Sequence, residues 1–280
     1  MNRRQIFEQI RQKQSFLCIG LDSDINKIPQ HLRKQKNSLF EFNKQIIDAT
    51  AQYCISYKPN LAFYEACGED GLRQLAMTVE YLKAGYPDMF LIADAKRGDI
   101  GNTSQMYAQA FFEKMKFDAV TLSPYMGEDT VKPFLSFADK WIVLLALTSN
   151  ASASDFQTVK TESGKMFYEE IILQSKNWGN ANNTMYVVGA TKAEMLVSIR
   201  EILPHHFLLV PGTGAQGGNL ADVAKYGMND TCGLLVNSSR AIIYADSNEN
   251  FAVAAAKKAK ELQTEMAALL VKYKIIQSEV

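Results

Sequence analysis

The chain has 280 residues, and its 30 lysines and arginines are balanced by 30 aspartates and glutamates. This balance provides no long-range field that would attract nucleic acid or an anionic membrane surface, so any bound anion must be held by local contacts. The hydrophobic runs are too short to span a bilayer, which predicts that the protein has no membrane partner.

The first element in chain order is a predicted amphipathic helix, MNRRQIFEQIRQKQ, which lacks the pattern of a secretory signal. Four cysteines follow at wide spacing and form no CxxC pair, at Cys18, Cys54, Cys67 and Cys232. Such cysteines are typical of small core residues in a reducing compartment. We therefore expect a reduced, cytoplasmic protein.

Eight short apolar runs rich in β-branched residues recur along the chain and predict strands. They are FLCIGLD from Phe16, ISYKPN from Ile55, FLIADAK from Phe90, AVTLSP from Ala119, WIVLLALT from Trp141, MYVVGA from Met185, FLLVPG from Phe207 and CGLLVNSS from Cys232. Near-continuous hydrophobicity is typical of parallel strands covered on both faces. Helical patterns lie between them, with Ser38 and Thr191 in predicted N-cap positions.

The alternation of strand and helix predicts an α/β protein, most economically a (β/α)8 TIM barrel with an extra N-terminal helix and a C-terminal helix from about Ser247. A doubly wound sheet alternates in the same way and is the structural alternative. Charged residues cluster after the predicted strands, where barrel loops build active sites, and this favours the barrel. We expect residues 1–280 to form a single domain, with a candidate lid over Ser149–Lys165.

The segment FLIADAKRGDIGNT brings acids and bases together at the end of the third strand. Side chains alternate along a strand, so Asp94 and Lys96 are predicted to point to the same side, toward the barrel mouth. Asp99 and Thr103 are predicted to start the next helix, where a spacing of four residues puts them on one face. A solvated salt-bridge network is the alternative interpretation.

The ends of the first and second strands add charges at the same rim. Asp22 follows the first strand and Lys58 ends the second, which gives an alternating series of Lys58, Asp94, Lys96 and Asp99 around the predicted mouth. Such a series keeps carboxylates ionised near a reacting centre and a lysine protonated as a proton donor. This context favours a catalytic role over a solvated network.

A glycine-rich segment after the seventh strand, PGTGAQGG, is a candidate phosphate-binding loop. It also fits the dinucleotide pattern GxGxxG through Gly212, Gly214 and Gly217. That alternative requires an acid at the end of the next strand, where this chain has Arg240. An arginine suits a phosphate, and Gln216 offers a directional amide.

These residues resemble the orotidine 5'-phosphate decarboxylase family. DAKRGDIGNT matches the family signature DxKxxDIxxT through Asp94, Lys96, Asp99, Ile100 and Thr103, and GLD, KPN, PGTGAQGG and Arg240 occur in the family's order. The resemblance spans Phe16 to Arg240, and the lengths between strands are similar to those of the longer bacterial branch.

The resemblance implies decarboxylation of orotidine 5'-phosphate to uridine 5'-phosphate without a cofactor or a metal, in a homodimer. Lys96 would protonate C6 of the pyrimidine, and Asp94 would sit beside the departing carboxylate. Asp99 and Thr103 would reach into the partner's site. A small nucleotide is then the expected ligand.

The resemblance also implies the binding roles. Asp22 and Lys58 would bind ribose hydroxyls, with Lys58 also holding Asp94. Gln216 and Arg240 would hold the phosphate together with the backbone of Gly214 and Gly217. Ser149 would contact the amide edge of the pyrimidine.

Two alternatives stay open at this point. Sugar-phosphate decarboxylases and aldolases share the DxKxxD signature but use a divalent metal and an acid where the second strand here has Lys58. A non-catalytic phosphate-binding barrel would need the glycine-rich loop and Arg240 but not Lys96. The histidines His31, His205 and His206 are not expected to bind metal or to act in catalysis.

Overall fold

The computed structural model describes residues 1–212 and 218–277. Eight strands pair in chain order, each parallel to the next, and β1 closes on β8 through Leu17 and Val236. The strands are β1 Leu17–Leu21, β2 Ser56–Pro59, β3 Phe90–Arg97, β4 Ala119–Leu122, β5 Trp141–Leu147, β6 Thr184–Val188, β7 Phe207–Pro211 and β8 Leu234–Ser238. The predicted closed barrel is confirmed, and the doubly wound alternative is wrong.

Helices separate the strands, as the alternating pattern predicts. Among the described residues, the α-helices are α1 Arg3–Lys13, α2 Gln30–Arg33, α3 Ser38–Thr50, α4 Leu61–Glu65, α5 Gly68–Gly85, α6 Gly101–Gln109, α7 Lys132–Leu135, α8 Phe167–Ser175, α9 Leu196–Ile202, α10 Leu220–Gly227, α11 Arg240–Ile243 and α12 Phe251–Lys272. A π-helical turn at Ala110–Lys114 extends α6. Short 3-10 helices occupy Pro124–Met126, Glu128–Thr130, Ala151–Asp155 and Ala190–Met195.

Both predicted N-caps are wrong in detail. Ser38 is the first residue of α3, and the cap position belongs to Asn37, which has a left-handed backbone and makes no side-chain capping bond. Thr191 lies inside a 3-10 helix that precedes α9.

The two predicted additional helices are present and occupy different places. Helix α1 lies at the N-terminal ends of the strands, where Trp141 Nε1 donates a hydrogen bond to the Met1 carbonyl at 2.8 Å. Helix α12 packs against α3, with the rings of Phe42 and Phe251 stacked 5.2 Å apart. The C-terminal ends of the strands remain open for a site.

The strands are almost completely buried, which explains their near-continuous hydrophobicity. Three of the cysteines, Cys18, Cys54 and Cys232, are buried in this core, and Cys67 is partly buried. His206 precedes β7 at the rim opposite the strands' C-terminal ends, and burial lowers its pKa to about 4. In the described part of the chain, no helix is both long enough and apolar enough to cross a membrane.

Candidate active site

A cavity of about 550 Å³ opens at the C-terminal ends of the barrel strands. Its walls come from the strand ends and loops of β1 to β8. They include six of the predicted site residues: Asp22, Lys58, Asp94, Lys96, Ser149 and Arg240. The carboxyl ends of parallel strands meet at one rim of a barrel, so residues far apart in sequence converge there. The cavity therefore lies at the rim of the barrel where the sequence predicts the site.

Three charged residues form a connected group at the cavity floor, which we call the charged triad: Lys58, Asp94 and Lys96. Lys58 Nζ donates a hydrogen bond to Asp94 Oδ2 at 2.6 Å, and Lys96 Nζ donates to Asp94 Oδ1 at 2.5 Å. The side chains of Lys58 and Asp94 are 6% and 10% exposed, whereas that of Lys96 is 49% exposed. Asp94 therefore fixes the ammonium group of Lys96, and the Lys96 side chain, about half exposed, lines the cavity.

The charges of the triad shift the pKa values of Asp94 and Lys58. Burial by itself would raise the pKa of Asp94, but the ammonium groups of Lys58 and Lys96 outweigh burial and hold that pKa well below its usual range. Burial would likewise lower the pKa of Lys58, but the charges of Asp94 and Asp22 raise it above the ordinary value. The pair of Lys58 and Asp94 is thus ionised at neutral pH.

Asp22 presents an unused hydrogen-bond acceptor to the cavity. Its Oδ1 atom is buried and has no hydrogen-bond partner among the described residues. The backbone is held by Tyr244, whose hydroxyl donates to the Asp22 carbonyl at 2.8 Å and accepts from the Asp24 amide at 2.7 Å. A buried carboxylate oxygen without a donor is costly unless a ligand supplies one.

The convergence of Asp94 and Lys96 does not follow from simple strand alternation. Lys96 has a left-handed backbone, with φ of 48°, and the pairing of β3 with β4 shifts register between Ala93 and Arg97. Asp94 and Lys96 do meet at the mouth, as predicted, but an irregular strand end brings them together. The regular alternation expected from the sequence is wrong at this point.

Arg97 does not join the charged triad, although it follows Lys96 directly in the sequence. It pairs with Glu65, and its guanidinium lies over the rings of Tyr107 and Phe111 at 5.4 and 5.8 Å. Its Nη1 atom donates to the Ala95 carbonyl at 2.9 Å. Arg97 therefore supports the end of β3 from outside the cavity.

Asp99 and Thr103 do not line the cavity of their own chain. Asp99 precedes α6, and its Oδ1 atom accepts from the Ile100 amide at 2.8 Å. The prediction that Asp99 and Thr103 share a helical face is wrong, because the helix begins at Gly101. Thr103 is exposed on the surface, and Ile100 beside it is 58% exposed.

The proposed phosphate end is described only in part. Gly214, Gln216 and Gly217 lie outside the described residues. At the edges of the loop, Gly212 has a φ of 98°, and its carbonyl accepts from the Gly218 amide at 3.1 Å. A Cβ atom at Gly218 would lie 2.5 Å from the Ala190 side chain, so this close approach requires glycine.

Arg240 is the first residue of α11, and it lines the same cavity as the charged triad. Strand β1 closely approaches the residue that precedes it, since a Cβ atom on Gly20 would lie 2.7 Å from Ser239 Cβ. The Ser239 hydroxyl donates to the Gly20 carbonyl at 3.1 Å. Strands β1 and β8 thus fix the start of α11 and the position of Arg240.

Ser149 lies on the cavity wall beside the end of β6. A Cβ atom on Gly189 would lie 2.8 Å from the Ser149 backbone, so the glycine permits this approach. Gln157 anchors the preceding residue from further along the loop. It accepts from the Thr148 amide at 2.8 Å and donates to the Thr148 hydroxyl at 2.8 Å.

Sequence reasoning missed several polar residues on the cavity wall. They are Asn60, Thr121, Thr148, Asn150, Gln157, Asn237, Ser238 and Ser239. Thr121 had a usable signal, because it is the one polar residue inside the apolar run AVTL of β4. Among the described residues, no group of three or more His, Cys, Asp or Glu side chains is arranged to hold a metal ion.

The sequence and the fold are both similar to those of one group of proteins. Residues 15–258 match the family model described as Orotidine 5'-phosphate decarboxylase / HUMPS family. The chain is 60% identical over 270 residues to orotidine 5'-phosphate decarboxylase of Parabacteroides distasonis, covering 96% of each chain. Among solved structures it is similar to Leishmania donovani OMP decarboxylase, with a TM-score of 0.81, 32% identity and coverage of 96% of this chain and 99% of that one. Leishmania donovani UMP synthase gives a TM-score of 0.83 and 34% identity, covering 96% of this chain and 56% of that one.

Proposed function

The chain belongs to the Orotidine 5'-phosphate decarboxylase / HUMPS family, and on that premise we propose that it converts orotidine 5'-phosphate to uridine 5'-phosphate and carbon dioxide in pyrimidine biosynthesis. The observation that carries the proposal is the charged triad, in which Asp94 binds the ammonium group of the half-exposed Lys96 side chain in the cavity. Binding a phosphate alone would not need that group. A non-catalytic barrel is therefore the weaker interpretation.

Lys96 is the proposed proton donor. The bond between C6 of the pyrimidine and the carboxylate breaks, carbon dioxide leaves, and the electron pair remains on C6. The ammonium group of Lys96 delivers a proton to C6, and solvent reprotonates the amine. Because the ring delocalises this charge poorly, a fixed cation nearby stabilises the transition state. Two unit charges about 4 Å apart interact by roughly 4 kcal/mol at an effective dielectric near 20, which corresponds to about three powers of ten in rate.

Asp94 and Lys58 keep that donor aimed at the substrate. The low pKa of Asp94 keeps its carboxylate ionised, and this carboxylate accepts a hydrogen bond from Lys96 Nζ at 2.5 Å. Asp94 is also the group proposed to lie beside the departing carboxylate. Lys58 offsets the negative charge of Asp94 from the buried side, at 2.6 Å.

The ribose and the pyrimidine are proposed to bind between the triad and the loops. Asp22 would accept a ribose hydroxyl at Oδ1, the buried oxygen without a partner, and Lys58 would contact the ribose beside it. Ser149, on the cavity wall, would contact the amide edge of the pyrimidine. These contacts orient C6 toward Lys96.

The phosphate is proposed to bind Arg240 and the loop from Gly212 to Gly218. Arg240 supplies a cation and a forked donor, which suits a phosphate. Gly214, Gln216 and Gly217 are proposed to complete the binding loop. Binding energy at this remote anchor supports the desolvated, reacting end of the substrate.

A homodimer is proposed to complete each site with Asp99 and Thr103 of the partner subunit. Both residues lie outside the cavity of their own chain. Large apolar side chains are exposed along the segments that carry and follow them: Ile100 at 58%, Met106 at 49%, Tyr125 at 81% and Met126 at 47%. Exposed apolar surface of this kind marks an interface, and a twofold axis would bring each Asp99 to the other chain.

We propose that residues 1–280 form one domain, because a single core cluster runs from Ile6 to Leu270. Four free cysteines fit a reducing compartment such as the cytoplasm.

Metal-dependent sugar-phosphate enzymes remain the alternative within the family. In this chain the ammonium group of Lys58 lies where they are expected to place an acid, and a lysine ammonium does not bind a divalent cation.

The experiment that tests the proposal follows the ultraviolet absorbance of orotidine 5'-phosphate with the purified protein in excess chelator. We expect turnover that chelator does not reduce. An absence of turnover would overturn the proposed function. Activity that is lost to chelator and restored by a divalent cation would favour the metal-dependent alternative.

A further inference from the structure

Strands β3 and β4 lose their regular register beside the charged triad. Ala93 pairs with Val120, and the next pair joins Arg97 to Leu122. Three residues of β3 therefore lie opposite a single residue of β4, Thr121. A bulge of this kind bends the strand, re-aims its side chains and leaves backbone groups without a ladder partner.

The hydroxyl group of Thr121 satisfies those backbone groups. Its Oγ1 atom accepts from the amides of Ala95 at 2.9 Å and Lys96 at 2.8 Å. The same atom donates to Asp94 Oδ1 at 3.1 Å, a shorter contact than the 3.5 Å to the Ala93 carbonyl. A hydroxyl has two lone pairs and one proton, so all its capacity is used on the three residues of the bulge.

The position of Thr121 explains how Lys96 holds an unusual conformation. Lys96 has a φ of 48°, which a residue with a Cβ adopts rarely and only where neighbouring groups fix it. Thr121 is 1% exposed, so its hydroxyl is shielded from solvent. On the other side, Arg97 Nη1 donates to the Ala95 carbonyl at 2.9 Å.

We propose that Thr121 is a positioning residue, whose hydroxyl fixes the bulge of β3 and thereby aims Lys96 Nζ and Asp94 Oδ1 at the reacting carbon. This inference rests on the proposed function. Thr121 acts through the triad and not on the phosphate, which is held at the other end of the cavity. Removing the hydroxyl therefore lowers the rate of the chemical step and leaves nucleotide binding nearly unchanged.

A purely structural role is the competing explanation. Threonine is β-branched and suits a buried strand, and valine has nearly the same shape. If shape alone mattered, valine would replace Thr121 without loss. Thr121→Val therefore separates the hydroxyl from the packing, Thr121→Ser keeps the hydroxyl without the methyl group, and Thr184→Val removes a buried hydroxyl from β6 outside the cavity as a matched control.

The test measures kcat for orotidine 5'-phosphate and the Kd for uridine 5'-phosphate in all four proteins. We expect Thr121→Val to lower kcat roughly a hundredfold, as a displacement of about 1 Å does, with a Kd within about twofold of wild type. Thr121→Ser and Thr184→Val are expected to retain most of the wild-type kcat. If Thr121→Val does not fold, Thr121→Ala is the second variant without the hydroxyl and is expected to show the same loss of kcat.

The outcomes separate the two proposals. A wild-type protein without decarboxylase activity overturns the proposed function. If the wild type is active and the kcat of Thr121→Val lies within about twofold of it, only the positioning role is overturned. A Thr121→Ser protein whose kcat is no higher than that of Thr121→Val also overturns only the positioning role. Equal losses of kcat and nucleotide affinity in Thr121→Val also overturn it, because they indicate general damage to the cavity.

Discussion

Lys58 Nζ lies 2.6 Å from Asp94 Oδ2, and both side chains are almost fully enclosed. Removing one partner of a buried pair leaves the other charge without compensation, which costs about 3 kcal/mol or more. We expect Asp94→Asn to lower the free energy of unfolding by about 3 kcal/mol in urea denaturation at neutral pH.

The exposed pair of Lys258 and Glu261 provides a control, because its atoms lie 2.8 Å apart, close to the distance in the buried pair, but its side chains are about half exposed. Glu261→Gln is expected to change the urea midpoint little, since solvent screens exposed ion pairs. An Asp94→Asn protein as stable as Glu261→Gln would show that the buried pair does not stabilise the fold.

The same carboxylate predicts a dependence of stability on acid. Because the pKa of Asp94 is lower in the folded protein than in the unfolded chain, the unfolded state binds protons first as the pH falls. The contribution of Asp94 is fully present above roughly pH 4 and is lost progressively below it. We expect the free energy of unfolding to fall more steeply from pH 6 to pH 3 in wild type than in Asp94→Asn, by the standard linkage relation. Parallel curves would contradict the low pKa.

The sequence predicts those features of the fold and the site that depend on local patterns of residues. The strands and the barrel follow from near-continuous hydrophobic runs, and the position of the site follows from charges at strand ends such as Asp22 and Lys58. Both signals are local in sequence. They were sufficient to predict the fold and the charged residues that line the cavity: Asp22, Lys58, Asp94, Lys96 and Arg240.

The features that the sequence did not predict depend on contacts between strands. The bulge at Lys96 is held by Thr121 on the next strand, whose hydroxyl accepts a hydrogen bond from the Lys96 backbone amide. No pattern within β3 predicts that contact. Arg97 follows Lys96 directly in the sequence, but Glu65 and two aromatic rings hold it outside the cavity. The register of paired strands and the left-handed backbone conformation of Lys96 are set by tertiary contacts, so the periodicity of the sequence does not predict them.

Lys96 is expected to be essential for chemistry and dispensable for binding. Lys96→Ala is predicted to lower kcat by at least about a thousandfold, because it removes both a proton donor and a fixed cation. Affinity for uridine 5'-phosphate, measured by calorimetry, is expected to persist. Lys132→Ala is the control, since Lys132 is 63% exposed and does not line the cavity. A Lys96→Ala protein with near-normal kcat would refute the proton-donor role.

Arg240 is expected to act on the phosphate. A hydrogen bond to a charged group contributes about 1.5 to 3 kcal/mol, so Arg240→Ala is predicted to weaken binding of uridine 5'-phosphate by roughly 10- to 100-fold. The nucleoside uridine has no phosphate, and its weaker binding should be unchanged in the variant. A loss of affinity that is equal for uridine and its 5'-phosphate would place Arg240 elsewhere.

The proposed sharing of Asp99 between subunits can be tested by complementation. A heterodimer of a Lys96→Ala chain and an Asp99→Ala chain, purified with two different tags, would contain one site with an intact Lys96 and an intact Asp99 from the partner. We expect about half of the wild-type activity per dimer, since one of two symmetric sites is restored. If Asp99 acts within its own chain, both sites of the heterodimer are defective and no activity returns.

The most direct test of the central claim uses the product alone. If the Lys96 ammonium delivers the proton to C6, the neutral amine must remove it again by the same route, because both directions share one transition state. We therefore predict that the protein catalyses exchange of the C6 hydrogen of uridine 5'-phosphate with deuterium oxide, followed by proton NMR, and that Lys96→Ala abolishes the exchange while still binding the nucleotide. Exchange at the wild-type rate in Lys96→Ala would contradict the assignment of Lys96 as the proton donor.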